Sequence, residues 1–228
     1  MRFQRYIKEG RNISKNMMIP DELMEIYQPF IDDIFKDCKP FLKDWIPVYR
    51  RTKDFLYRGM DYYDKAEYGK SRVRKNRKPS STPLYDHQIF DEAFKKKFGW
   101  SVRSNSIFCT FEESAADAYG DVYVVFPIGR YKALWSEEIN DLTVDISSVF
   151  GYQYKLDTVY KNDPDKFKIG TERNMNILDK VLNTYEVNNL RDASMTANEV
   201  MIKCKEYYYI YTKSTMLDVF TDVLQTKI

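Results

Sequence analysis

Ala197-Asn198-Glu199-Val200-Met201-Ile202-Lys203-Cys204 sets one carboxylate at the threshold of a short apolar run. Val200, Ile202 and Cys204 alternate with Met201 and Lys203, which predicts a strand of period two. The residues before it, Asn188 to Thr196, are polar and predict a loop. Glu199 then stands where loop becomes strand. A carboxylate fixed by a sheet behind it and approached by a loop before it is well placed for chemistry. Strand-end glutamates are ordinarily solvated, so the position gains weight only from the rest of the chain.

The 228 residues are 43% hydrophobic and 16% aromatic, with 19 Tyr, which predicts a packed body rather than a disordered chain. No stretch reads as a linker between domains, so one domain over 1–228 is expected. Its first part, 1–50, forms a helical flank on a core over 51–228. Apolar runs such as Val122–Phe126 are far too short to cross a bilayer, and no membrane partner is expected. Met1–Glu9 carries basic residues without an apolar core, unlike a secretory signal. Cys38, Cys109 and Cys204 lie far apart in odd number and without metal-site spacing, which suits a reducing cytoplasm.

A net charge of +2 does not announce a nucleic-acid binder. Charge is uneven, however: Lys70, Arg72, Arg74, Lys75, Arg77 and Lys78 follow almost without interruption. Such a run can hold phosphates on a partner, or can simply be a solvated loop. The single histidine, His87, reads as a helix-start residue, and it limits any His-based dyad or multi-histidine metal site to one candidate.

Pro20-Asp21-Glu22-Leu23 opens a helical region over about 20–45, with Leu23, Ile26, Tyr27, Phe30, Ile31, Ile34 and Phe35 on one face. Pro29 is expected to start a second helix, and Pro40 to make another break. Lys53–Met60 predicts a strand holding Arg58 and Gly59. Gly59 suits a positive φ or close approach of a ligand, and Arg58 offers a planar fork for phosphate or carboxylate. Tyr85–Phe98 predicts a helix stopped by Gly99. Arg103–Gly120 passes from a polar turn through a strand into a helix, with Thr110 at the junction, as a cap or a ligand contact. Val122–Phe126 predicts a central strand. Tyr131–Trp135 and Val144–Phe150 are further strand candidates, 172–187 a helix, Tyr207–Tyr211 a strand and Ser214–Leu224 a helix. The sum is an α+β fold with peripheral helices.

Tyr57-Arg58-Gly59, then Ile107-Phe108-Cys109-Thr110 with Ser114, Ala115 and Tyr119, then Asn198-Glu199-Val200-Met201-Ile202 form an ordered set. It resembles the arginine-serine-glutamate class of NAD-dependent ADP-ribosyltransferases, and the second block is also similar to that of the poly-ADP-ribose polymerases. Val73–Pro83 and Val122–Leu142 are similar to proteins encoded by tailed bacteriophages. The resemblance implies a split, mixed or antiparallel sheet core, NAD as co-substrate, no metal, and mono-ADP-ribosyl transfer in the cytoplasm, that of a host if the chain is phage-encoded. Glu199 would then stabilise the oxocarbenium-like ribose through a ribose hydroxyl, and Arg58 would hold the pyrophosphate. Thr110 would position the strand lining the nicotinamide or orient Glu199, with Ser104 and Ser106 as rivals for that place. Tyr57, Gly59, Phe108, Ser114 and Tyr119 complete the expected cofactor site. Ala197 stands where arginine-modifying members carry a second Glu. The acceptor is therefore a nucleic acid or a host protein, met by Asn198, Arg191, Arg74, Lys75 and Arg77. Two alternatives stay open: a non-catalytic nucleic-acid-binding module, and an NAD glycohydrolase with water as acceptor.

Overall fold

The apolar residues recurring from Leu23 to Phe35 form one unbroken helix, α1 (Asp21–Asp37). It opens a computed structural model that describes residues 20–60, 66–77, 84–142, 145 and 164–227. The break expected at Pro29 does not occur, because Pro29 and Glu25, whose carbonyl it leaves unbonded, both lie on the solvent side. The carbonyl left without an amide there is open to solvent. Pro40 does mark a boundary: it stands in the first turn of α2 (Lys39–Thr52). Lys53 closes α2 in the left-handed region, with its N–H on Tyr49 O at 2.8 Å.

Two four-stranded sheets follow, and every pairing in them is antiparallel. The first has the order β1 (Tyr57–Met60), β4 (Asp121–Pro127), β8 (Glu206–Tyr211), β2 (Tyr68–Arg72). The second has the order β3 (Ile107–Cys109), β7 (Val200–Lys203), β5 (Lys132–Ser136), β6 (Tyr185–Val187). A backbone pair joins them: Tyr57 N donates to Thr110 O at 2.7 Å and Thr110 N to Tyr57 O at 2.9 Å. The remaining helices are α3 (Leu84–Phe98), α4 (Glu113–Asp117), α5 (Pro164–Asn183), α6 (Leu190–Ala193) and α7 (Thr215–Lys227). The molecule is thus α+β, with seven helices among the described residues. None of these is long and apolar enough to cross a membrane.

Two hydrophobic cores lie on either side of β7. The larger gathers Ile34, Phe41 and Trp45 from α1 and α2, Phe126 from β4 and Phe220 from α7. The smaller gathers Phe90 and Phe94 from α3, Leu178 and Leu182 from α5, and Leu134 from β5. Val200 and Ile202 enter the larger and Met201 the smaller, so β7 is covered on both faces. Its alternation therefore separates one core from the other rather than core from solvent.

Two other expectations change. The helix read over 172–187 stops at Asn183, where Thr184 Oγ1 donates back to Val181 O at 2.8 Å, and Tyr185–Val187 pairs with β5 instead. The loop read over Asn188–Thr196 contains α6, whose Leu190 and Ala193 are buried. The strand read over Val144–Phe150 lies outside the described residues except for Asp145.

Candidate functional site

Arg58 leaves β1 on the face opposite Tyr57, as strand alternation requires. Its Nη1 donates to Phe108 O at 3.3 Å, which ties β1 to β3. Its Nε is buried and donates to nothing among the described residues, a costly state for a charged fork. Tyr57 sends its ring toward the larger core, 6.3 Å from Phe55, so its share in this region is the backbone pair with Thr110. Gly59 has a physical role other than the expected one. Its φ is not positive, and a Cβ there would meet Ala116 O at 2.2 Å and Tyr119 Cβ at 2.8 Å. The close approach that glycine allows is that of the α4 turn rather than of a ligand.

Two more guanidinium groups join Arg58. Arg77 stacks over the Phe108 ring at 4.3 Å and Arg103 over the same ring at 5.2 Å. The Phe108 ring packs against the smaller core and is also the surface that aligns these two arginines. Asp91 Oδ1 accepts the Arg103 N–H at 2.8 Å and fixes the turn from which the side chain departs. Burial lowers the Arg77 pKa, and the positive charges of Arg58 and Arg103 lower it further. Three like charges held this close favour an anion between them.

The run Lys70–Lys78 therefore does not act as one patch. Lys70 and Arg72 pair with Glu206 at 3.0 Å each, Arg77 turns inward, and Arg74 and Lys75 are exposed. Lys78 lies outside the described residues.

Glu199 precedes β7, its N–H on Asn140 O at 2.9 Å. Its side chain is only 17% exposed, and Oε2 stands 3.9 Å from Arg103 Nη1. Oε2 accepts no hydrogen bond among the described residues. Burial pushes the carboxyl up to about 7, Arg103 and Arg77 pull it down, and Asp141 pushes it up. Asp141 also accepts from the Tyr119 hydroxyl at 3.0 Å. Tyr119 is 64% exposed, so its ring is accessible at the rim of this site.

Thr110 and Asn198 hold the carboxylate's backbone. Thr110 Oγ1 donates to Ala197 O at 3.0 Å and accepts from Glu112 N at 3.1 Å. It anchors the segment before Glu199 rather than the carboxylate itself, and α4 has no side-chain cap from it. Asn198 Nδ2 donates to Ser136 O at 2.9 Å and Glu137 O at 2.8 Å, so its amide fixes β7 against the end of β5.

The other expected residues lie apart from this cluster. Ser114 is exposed and donates to Glu112 Oε1 at 2.8 Å. Arg191 lies on α6, where its carbonyl accepts from Arg51 Nη2 at 3.2 Å. Ser104 Oγ bonds Asp91 Oδ2 and lies 2.9 Å from His87 Nε2. His87 is buried within α3, and burial lowers its pKa against the opposing pull of Asp91. Ser106 Oγ accepts from Trp100 Nε1 at 3.3 Å. Among the described residues no group of three His, Cys, Asp or Glu is gathered to hold a metal.

The structure thus brings Arg58, Arg77, Arg103 and Glu199 together at the seam between the sheets, with Thr110 and Asn198 behind Glu199. Arg103 and Asp141 carried no local signal in the sequence, since each sits in an irregular polar segment. Chemically the site offers three fixed cations for a polyanion and one desolvated carboxylate for a developing positive charge. No protein-family model, curated protein or solved structure matches the chain.

Proposed function

We propose that the chain is a mono-ADP-ribosyltransferase that moves ADP-ribose from NAD to a macromolecular acceptor and releases nicotinamide. The observation that carries this reading is the convergence of Arg58, Arg77 and Arg103 beside the buried Glu199. The two antiparallel sheets joined at Tyr57 and Thr110 fit the split core of an ADP-ribosyltransferase-like domain, with α1 and α2 as its flank.

NAD suits these residues. Its pyrophosphate carries two negative charges, which three guanidinium groups crowded together can neutralise, and Arg58 Nε is a buried donor awaiting an acceptor. The bond from ribose C1′ to the nicotinamide nitrogen breaks with its electron pair leaving on nicotinamide. The ribose becomes cationic, and ionised Glu199 stabilises it more than the ground state. An acceptor nucleophile then bonds to C1′ and its proton passes to Glu199 or to water. The acceptor is a nucleic acid or a host protein, reached in the cytoplasm.

The test incubates the protein with NAD labelled in the adenylate part and with cell lysate, then digests separately with nuclease and protease. Label should enter one macromolecular fraction, and Glu199→Gln should reduce the transfer about 10²–10³-fold. Nicotinamide release that continues unchanged without any macromolecule would favour the glycohydrolase. Absence of both transfer and nicotinamide release from the native chain overturns the enzyme.

A further inference from the structure

Tyr119 is an exposed ring held at both ends. Its Cβ settles against β1 where Gly59 leaves room, since a Cβ at Gly59 would stand 2.8 Å from it. Its N–H donates to Ala116 O at 3.0 Å, and its hydroxyl donates to Asp141 Oδ2 at 3.0 Å. Between these anchors the residue is still 64% exposed. A ring left in water gains little from folding, so anchors at both its ends fix a face for something else to meet.

Asp141 is fixed in its turn. Asn140 N and Asp141 N donate to Asp145 Oδ2 at 2.9 and 3.3 Å, and Asp145 N donates to Asp141 O at 2.9 Å. Asn140 O accepts the Glu199 N–H at 2.9 Å, which ties the Asp141 turn to the catalytic carboxylate's own backbone. Partial burial, then Asp141, then Glu199 push the Tyr119 hydroxyl up to about 12, so the ring is a neutral phenol with an electron-rich face.

From the three arginines through Glu199 to Asp141 the sign of the charge reverses. Arg58, Arg77 and Arg103 favour an anion, whereas an aromatic face beside two carboxylates favours a planar cation. NAD is charged in the same sense, with an anionic pyrophosphate and a cationic nicotinamide ring.

We propose that Asp141, acting through Tyr119, selects the positively charged form of the dinucleotide. The Tyr119 face receives the cationic ring, and Asp141 holds that face in place and supplies negative potential behind it. NAD is the ligand here because the transferase reading makes it so, and the proposal rests on that reading; it adds Asp141 as a positioning residue that sets specificity. When the bond to ribose breaks, its electron pair leaves on nicotinamide, the ring becomes neutral, and this attraction ends as product forms.

NAD and NADH test the proposal, because they share one pyrophosphate and differ by a hydride that removes the positive charge of the ring. Isothermal titration of the native chain should give NAD an affinity about tenfold or more above that of NADH. Asp141→Asn keeps the side chain's shape and an acceptor for the Tyr119 hydroxyl, and it should narrow the preference to below about threefold, chiefly by weakening NAD. Tyr119→Leu removes the face at an exposed position and should narrow the preference likewise. A change that only loosened the fold would weaken both ligands alike and leave their ratio as it was. Equal affinity of the native chain for NAD and NADH, or a native ratio in either variant, overturns the proposal and leaves the transferase reading standing. Failure of the native chain to bind NAD at all overturns both together.

Discussion

In the larger core, some of the big aromatic side chains carry a polar group to a partner at an ordinary distance, although the buried Trp135 Nε1 has none among the described residues. The Tyr208 hydroxyl donates to Asp37 at 2.8 Å, and Trp45 Nε1 to Asp54 O at 3.2 Å. At the seam beside the smaller core, Arg103 and Glu199 stand 3.9 Å apart, too far for a hydrogen bond, and Arg58 Nε is buried without an acceptor among the described residues. In the first region the unmatched buried polar atom is a neutral indole N–H. The second keeps Glu199 Oε2 and Arg58 Nε desolvated and without a hydrogen bond among the described residues, a state that costs stability and that a ligand would relieve. Folding strength and chemistry are therefore assigned to different parts of one molecule.

The strongest way to break this division is Trp45→Ala. Trp45 is fully buried, 5.0 Å from the Tyr49 ring, 5.4 Å from Phe55 and 5.9 Å from Phe126. Truncation should cost about 3–5 kcal/mol in denaturant unfolding. At a temperature where the variant is still folded, its Kd for NAD should match that of the native chain. Affinity that fell together with stability would mean that the two regions are not separate.

Glu199 sharpens the comparison through pH. Its ordinary value is 4.5 and burial raises it to about 7 in the folded chain. Between those values the folded state holds more protons than the unfolded one, so stability falls as pH rises through this window and levels off above it. The full penalty is about 3 kcal/mol. Glu199→Gln removes the titration, so the stability of the variant relative to the native chain should rise by that amount between pH 4.5 and 7.5. Transfer activity should move the opposite way, rising with pH through about 7 as the carboxylate ionises. Parallel slopes for activity and stability would contradict the role given to this group.

Arg58→Ala should be milder and more selective. Loss of its charge-assisted contacts should weaken NAD binding by about 2 kcal/mol, roughly thirtyfold. Glu199→Gln should leave NAD binding nearly unchanged, and isothermal titration of both variants decides the point. Equal losses would undo the division between a residue that binds the ground state and one that acts as charge develops.

Periodicity revealed most of the scaffold. Val122–Phe126 read as a central strand because its apolar run is continuous, and β4 indeed lies between β1 and β8. The alternation of Val200 and Ile202 with Met201 marked β7 as a strand but not which core each side enters, because a strand between two cores has no solvent face to mark its register. Periodicity placed Arg58 on a strand and Glu199 at a strand entrance, as the structure has them, but it was the family resemblance that singled them out. Arg103 was not legible, since its place is set by Asp91, twelve residues earlier in another element, and by the Phe108 ring. Arg77 was assigned to an exposed run of charge because sequence neighbours alone do not tell which of six cations turns inward. Gly59 was rightly singled out for close approach, but the approaching group was the Ala116 carbonyl.

The smallest expected effect tests whether the seam's geometry matters apart from its charge. Thr110→Val keeps the shape of the side chain and removes the hydroxyl that holds Ala197 O, two residues before Glu199, and receives Glu112 N. Stability should fall by about 1 kcal/mol. If the hydroxyl serves only the fold, turnover per folded molecule should not change. If it positions Glu199, kcat should fall several-fold with KM for NAD unaltered, because the carboxylate acts on the charge that develops in the transition state and a looser backbone blunts that action. Thr110→Ser restores the hydrogen bonds without the methyl group and should recover most of the lost kcat. Recovery of stability without recovery of kcat would instead assign Thr110 to the bridge between the sheets alone, with Glu199 held in place by the Asn198 contacts to β5.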